Sequence, residues 1–432
     1  MRIAIVSKYF FLKGGLETVM FEEAKLLEKK GHEIAFFSMH HPLNPKEYKY
    51  NKYFVDYMEL SNAGKEYSLI EKFKIARNFI YNKQAGIKFE AFLNDFKPDI
   101  IHCHGVTHQL TPSVLDIAKL YNIPVVQTLH DYQLICPNYT LLRSGKLICD
   151  DLRCSNDNYW HCIFNKCVKE SFGASILSTI EMYFNYRNNK YGDLIDKFIS
   201  PSKFLRNILI KSGKPEEKIV QISNFININE YEPEYSNKGY FLFAGRLSFE
   251  KGLFTLLKAF KKSPESNLVI AGTGPLEKDL LTYKEDNCIN NVEFVGYKSK
   301  SELENYFKHC IALIIPSEWY ENAPMSIIES FSYGKPVIAS NLGGNTEMVT
   351  DNYSGYLFSP KDINDLKLKI SYFKNDAGLS QKLGENARNF ALQNYTPENH
   401  YNNLLSLFNS LVKKPAKESL SIKDDINLYQ SR

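Results

Sequence analysis

Two glutamates, Glu321 and Glu329, stand eight positions apart in the stretch PSEWYENAPMSIIESFSYGKP that runs from Pro316 to Pro336. Asn322-Ala323-Pro324 between them reads as a helix start. Asn is a good N-cap, and Pro suits the first turn, where its missing N–H has no partner to lose. Gly334, with Pro336 close behind, reads as the stop. The pattern predicts a short helix over 324–333, with Glu329 about two turns along it and Glu321 on the loop before it. The free backbone N–H groups from Ala323 to Met325 would form an anion site. Carboxylates only accept hydrogen bonds, so the two glutamates would hold hydroxyl groups on either side of that anion. A nucleotide-sugar, with a diphosphate between two hydroxyl-bearing ends, has that shape. Glutamates at this spacing also occur by chance, and it is the setting that gives the pair weight.

That setting is a series of strand ends. IALIIP enters the stretch like a buried strand, PVIAS leaves it, and Gly343-Gly344 follows. Open parallel sheets bind ligands at the C-terminal ends of their strands. After a strand over Tyr240 to Ala244, the run GRLSFEKG puts Arg246 and Lys251 on a loop that enters a helix. Two cations beside free helix N–H groups suit a diphosphate. His130 and Asp131 follow the strand PVVQTL, where a histidine is as open to a catalytic reading as to a structural one. His102 and His104 end another strand, PDIIHCH, and are expected to support a cleft wall. At the front, Arg2 to Val6 reads as a strand and Gly14-Gly15 as a loop. Leu16, Val19, Met20, Ala24 and Leu27 carry helical periodicity from Leu16 to Lys30, and Ile34 to Phe37 reads as the next strand. The halves on either side of the Asn-rich segment after Asn224 thus repeat one strand–glycine loop–helix architecture.

With its two glutamates, its GR…KG segment at 245–252 and its TLHDYQLICP segment at 128–137, the chain resembles the retaining family 4 glycosyltransferases of the GT-B fold. The likeness runs from the Gly14-Gly15 loop to the helix after Pro397. It implies an α/β protein of two Rossmann-like, doubly wound domains facing across a cleft. Residues 1–224 would bind the acceptor and carry a cysteine-containing insertion at about 136–170. Residues 225–239 form a linker, 240–396 bind the donor, 397–412 make a crossover helix, and 413–432 are a polar tail. The implied reaction moves a sugar from a nucleoside-diphosphate sugar, UDP before GDP, to a saccharide or lipid-linked saccharide. It retains anomeric configuration and serves cell-surface polysaccharide or glycoconjugate synthesis. No metal and no other cofactor is implied, and the sequence has no Asp-x-Asp motif. On this resemblance Glu329 holds the ribose, Glu321 the sugar, and His130 lies beside the reacting carbon. Arg246 and Lys251, with the turn Asn322-Ala323-Pro324-Met325, stabilise the departing diphosphate. Gly15 borders the cleft, and Tyr297 borders the base.

Composition narrows the field. A chain of 432 residues, 44% apolar, holds two or three domains with full cores. A net charge of +4 argues against a dedicated nucleic-acid binder. The first residues, MRIAIVS, are too short an apolar run for a signal peptide, and no apolar stretch is long enough to span a membrane. A cytoplasmic protein is expected. Residues 65–88 mix Lys65, Lys72, Lys74, Arg77, Lys83 and Lys88 with aromatic and aliphatic side chains. The plain reading is an amphipathic helix with a solvated basic face; the alternative is a peripheral contact with the membrane surface. Cys136, Cys149, Cys154, Cys162 and Cys167 form a patch whose C-x4-C spacings are looser than usual for zinc. Reduced cysteines that shape the acceptor site are expected ahead of a structural zinc, and disulfides last. Rival activities are a sugar-nucleotide epimerase, a phosphorylase, a nicotinamide oxidoreductase and a silent binding subunit. No GxGxxG follows either first strand, which counts against the nicotinamide reading.

Overall fold

The computed structural model describes residues 1–57, 68–156, 158–187, 190–376 and 378–412. Its first domain contains β1 (Arg2–Ser7), β2 (Glu33–Phe37), β3 (Ile100–Gly105), β4 (Val125–Thr128), β5 (Leu142–Arg143), β6 (Leu147–Ile148), β7 (Lys197–Ser200) and β8 (Ile219–Gln221). The second contains β9 (Tyr240–Ala244), β10 (Asn267–Ala271), β11 (Val292–Gly296), β12 (Cys310–Ile315), β13 (Val337–Ser340) and β14 (Gly355–Phe358). One sheet runs β2-β1-β3-β4-β7-β8 and the other β11-β10-β9-β12-β13-β14, and β5-β6 is a small antiparallel hairpin in the cysteine-rich insertion. All pairings within the two large sheets are parallel.

Parallel strands covered by helices on both faces must be apolar throughout. Ile3, Ala4, Ile5 and Val6 of β1, and Ala312, Leu313 and Ile314 of β12, are fully buried. Their alternation sorts the helices. Ala4 and Val6 pack with Phe89, Phe92 and Phe96 of the helix Lys83–Phe96. Ile3 and Ile5 pack with Met20 and Leu27 of the helix Gly15–Lys29, and with Leu404 and Phe408 of the helix Pro397–Val412. The helix Pro397–Val412 therefore completes the core of the first domain.

Each sheet has one point where its strand order reverses: between β1 and β3, and between β9 and β12. The connections leaving such neighbouring strands diverge to opposite faces, which opens a crevice at the strand ends. The Gly14-Gly15 loop and β3's His104 lie at the first reversal. The 245–252 loop and the 316–324 loop lie at the second.

Several local expectations shift. The helix expected over 324–333 is Met325–Ser332, and Pro324 rather than Asn322 occupies its N-cap. The Asn322 side chain is drawn away by partners in the other domain, described below. The basic stretch holds two helices, Leu69–Ile80 and Lys83–Phe96, because Asn82 caps the second by accepting from the Ala85 N–H. Lys65 and Glu66 of that stretch, and the tail at 413–432, lie outside the described residues. The segment after Asn224 is packed against the second domain: Ile226, Ile228 and Tyr231 join its core.

Candidate active site

Glu321 lies at the C-terminal end of β12 and is only 5% exposed. Its Oε1 accepts from Lys251 Nζ at 2.7 Å and from Ser317 Oγ at 2.5 Å. Burial would raise its pKa, but the Lys251 charge and these hydrogen bonds hold the carboxyl below the ordinary value, so it is ionised. Lys251 also lies over the Trp319 ring, 5.4 Å from its centroid. Two glycines make this approach possible. Gly252 sits at φ +68°, and a Cβ there would meet the Pro316 carbonyl oxygen at 1.9 Å. A Cβ on Gly344 would stand 1.7 Å from the Asn322 oxygen, and its N–H donates to the Glu321 oxygen at 2.7 Å. The chain can bring these three loops together only where side chains are missing.

Glu329 is positioned differently. It is half-buried on the helix Met325–Ser332, and the only opposing influence on its carboxyl is the Lys300 charge. Burial raises its pKa. Its charge is felt at Tyr231 and Tyr333. Its carboxylate makes no hydrogen bond among the described residues, which leaves it open to hydroxyl donors. Tyr297, at the end of β11, is 76% exposed. Arg246 is exposed, and its charge reaches Tyr139 of the insertion, across the cleft.

From the first domain, His130 follows β4. Its Nε2 lies 3.1 Å from His104 Nδ1, and the two rings are stacked at 25°. Burial and the neighbouring His104 keep its pKa well below the histidine range, so the ring is neutral. His104, His130 and Asp131 line a small cavity of about 20 Å³ with Lys8 and Leu16. Gly15 is exposed at the start of its helix.

The domains are tied at this place. Asn322 Nδ2 donates to the Leu129 carbonyl at 3.1 Å, and its Oδ1 accepts from Ser202 Oγ at 2.7 Å. Tyr132 Oη donates to the Tyr320 carbonyl at 3.0 Å. Glu347 accepts from the Lys203 N–H at 2.8 Å and from the Phe204 N–H, so a carboxylate of the second domain caps a helix of the first. Asn322 and Tyr320 flank Glu321, and Leu129 precedes His130. The clasp therefore joins the loops that carry the candidate catalytic groups. Sequence reasoning found Glu321, Glu329, Arg246, Lys251 and His130. It missed Ser202, Tyr132 and the role of Glu347, which have no local signature.

The cysteines of the insertion converge. Cys136, Cys149, Cys154, Cys162 and Cys167 line one cavity of about 20 Å³. All eight cysteines are free thiols. Burial pushes Cys136 up to about 12, and a hydrogen bond from Cys162 brings Cys167 down to about 7. Among the described residues, one group of three has ligand atoms within 4.8 Å of one another, and it lies elsewhere: Glu23, His102 and His104.

Two parallel sheets meeting at their switch points define the GT-B architecture. HepE of Anabaena, solved with UDP and glucose, superposes with a TM-score of 0.66 at 16% identity, over 95% of this chain and 100% of that one. Sucrose-phosphate synthase of Thermosynechococcus elongatus gives 0.68 at 18% identity, over 95% and 98%. Residues 13–230 match the family described as Glycosyltransferase Family 4, and residues 225–390 match Glycosyl transferases group 1. The chain belongs to glycosyltransferase family 4. An uncharacterised protein of the Klebsiella pneumoniae cps region is 24% identical over 348 residues, 79% of this chain and 84% of that one. An uncharacterised glycosyltransferase of Methanocaldococcus jannaschii is 33% identical over 198 residues, 45% of this chain and 54% of the relative.

Proposed function

We propose that this glycosyltransferase takes its sugar from a nucleoside-diphosphate sugar, with UDP as the favoured nucleotide. It passes the sugar to a saccharide or lipid-linked saccharide of a cell-surface polysaccharide, with retention and without a metal. The observation that carries the donor reading is the contrast between the two glutamates. Glu321 is ionised and charge-paired at the foot of the crevice, while Glu329 is desolvated with open hydrogen-bonding capacity. The free N–H groups that begin the helix Met325–Ser332 lie between them. In this reading Glu329 accepts from the ribose hydroxyls, the helix N-terminus and Arg246 take the diphosphate, and Glu321 accepts from a hydroxyl of the sugar. Lys251 adds positive charge beside the leaving group while keeping Glu321 ionised. Charge that grows on the departing diphosphate is met by groups already in place, which is where such sites gain most of their rate. His130, neutral, lies on the opposite wall near the reacting carbon.

UDP is favoured because structures of HepE hold UDP, UDP with glucose, and UDP-glucose. A polysaccharide role is favoured by relatives named O-antigen chain mannosyltransferase C of Escherichia coli and poly(ribitol-phosphate) alpha-N-acetylglucosaminyltransferase of Staphylococcus aureus. No helix of the described residues is long and apolar enough to cross a membrane. The exposed Phe73, with Lys74 and Arg77 on the helix Leu69–Ile80, supports a peripheral membrane contact on the cytoplasmic side. The test is a panel of UDP- and GDP-sugars scored for diphosphate release, with product anomers read by NMR and each assay repeated with EDTA. One UDP-sugar turned over to a product of unchanged anomeric configuration, with EDTA present, is expected. Inversion, GDP-sugar preference or loss of turnover in EDTA would each overturn the corresponding part.

A further inference from the structure

Behind His130 the first domain buries a group of ionisable side chains that packing alone would not select. Glu23, on the inner face of the helix Gly15–Lys29, is 1% exposed among Met20, Ala24 and Leu27. Its Oε1 lies 2.7 Å from His102 Nδ1 and 3.4 Å from His104 Nε2, and its Oε2 lies 2.9 Å from His400 Nε2. His102, His104 and His400 are 0%, 2% and 6% exposed. His102 and His104 come from β3, while His400 comes from the helix Pro397–Val412 at the far end of the chain. A buried carboxylate costs several kcal/mol unless it is paired, so a leucine here would be the cheaper core residue.

We propose that Glu23 is a positioning residue for His130: through His104 it fixes which nitrogen of His130 carries hydrogen, with His400 supplying the balancing charge. This rests on the reading of His130 as the residue that meets the transferred sugar. A carboxylate only accepts, so the 3.4 Å contact, although not an aligned hydrogen bond, is attractive when His104 Nε2 carries hydrogen and repulsive when it holds a lone pair, which places N–H on Nε2. That leaves His104 Nδ1 as a bare acceptor, and His130 Nε2, 3.1 Å away, must donate to it. The lone pair of His130 is thereby placed on Nδ1, ready to accept from a sugar hydroxyl. Both rings must be neutral for this to hold. Burial keeps His104 down at about 4 and His130 well below its ordinary value. His102 fits the same logic: its Nε2 lies 2.8 Å from Thr128 Oγ1, which can donate to it while Nδ1–H turns to Glu23. His400 differs, because its Nδ1 faces the Ser223 carbonyl at 2.8 Å and its Nε2 faces Glu23. Both partners accept, an arrangement satisfied only by the doubly protonated ring, and that ring neutralises Glu23. The contacts from His102 and His104 bend away from the ring N–H direction, leaving Glu23 Oε1, His102 Nδ1 and His104 Nε2 without well-aligned partners. A bound divalent cation is therefore the rival explanation of the cluster.

The test uses the full chain labelled with 15N-histidine, with His130, His104 and His400 assigned by single substitution. Wild-type spectra at neutral pH are expected to show Nε2–H tautomers for His104 and His130, and a doubly protonated His400. Glu23→Gln is expected to mix the tautomers of His130 and to lower kcat about ten-fold or more, with donor KM within two-fold. An Nδ1–H tautomer for His130 in the wild-type spectrum would overturn the proposal, whether or not the variant folds. So would a Glu23→Gln protein that loses thermal stability while His130 keeps its tautomer. A stoichiometric divalent metal that co-purifies with wild type and is lost in Glu23→Gln would assign the cluster to a cation instead. A changed tautomer with unchanged kcat would support the relay and overturn the role given to His130.

Discussion

Lys251→Met separates the charge pair at the foot of the crevice and leaves Glu321 buried with no cation beside it, held by Ser317 and the Trp319 side chain. Removing one partner of a buried ion pair costs about 3–5 kcal/mol, mostly because the other charge is stranded. The Lys251 side chain is 24% exposed and Glu321 only 6%, so water screens one end, and about 2–3 kcal/mol is the expected loss at pH 7. Glu321→Gln keeps an acceptor for Ser317 and strands nothing in the deep site, and should cost about 1–2 kcal/mol. The double variant has no buried charge left to strand. It should be more stable than Lys251→Met alone, giving a coupling energy of at least about 1 kcal/mol. Urea unfolding followed by Trp319 fluorescence reports on this site directly, since the chain has only two tryptophans and Trp160→Phe removes the other. The pH arm has a definite sign. In the wild type Glu321 is held below its unfolded value, so its stabilisation is present above that value and lost as pH falls through the folded one. In Lys251→Met the largest lowering influence is gone and burial is opposed only by the Ser317 and Trp319 hydrogen bonds, so the carboxyl titrates higher than in the wild type and the penalty should shrink as pH falls. Losses that add within about 0.5 kcal/mol, or a penalty unchanged in acid, would refute the pairing argument.

Other consequences are open to simpler measurements. Arg246→Ala should lower kcat by about 10²–10³ with a smaller change in donor KM, and a kcat within a few-fold of wild type would remove Arg246 from the leaving-group site. Glu329→Ala should weaken free UDP about ten-fold by calorimetry, as lost hydrogen bonds to a charged group imply. Glu321→Ala should leave UDP affinity unchanged or improve it, because Lys251 is released; a loss confined to Glu321→Ala would mean the donor lies the other way round. Gly344→Ala forces the Asn322 backbone away, and an activity loss of about 10²-fold is expected from the displaced Glu321 loop; full activity would show that the loop yields freely. His104 at about 4 binds fewer protons folded than unfolded, so it should subtract stability as pH falls from 6.5 towards 4, by about 3 kcal/mol at the lower end. Replacing it with Asn should flatten that part of the stability profile.

The legible part of this protein was local. Apolar runs such as IALIIP and YFLFA announce parallel strands because both faces are covered, and the residues after them fall at the crevice by topology alone. What was not legible is the pairing between distant positions. Asn322 looks like an N-cap by every local criterion, yet Leu129 and Ser202 outbid the helix for its side chain. Glu23 reads as one more polar residue on a surface helix, and only folding brings it against His400, which is 377 positions away. The five cysteines have no metal-like spacing, and nothing in their order tells that they face one cavity. The Lys251–Glu321 contact likewise joins two motifs recognised separately.

The helix Pro397–Val412 has a bearing on how the protein is made. Leu404, Leu407, Phe408 and Leu411 fill a face of the first sheet whose strands leave the ribosome long before them. At about 5–20 residues per second, the first domain waits on the order of ten to forty seconds after β8 emerges with that face uncovered. Until then Ile3, Ile5 and Ile100 offer an apolar groove to whatever is nearby. The first domain is thus the last to close, although it is the first to be synthesised. Synthesis that stalls within the second domain would release a chain in which neither domain is whole, a natural substrate for chaperones and proteases.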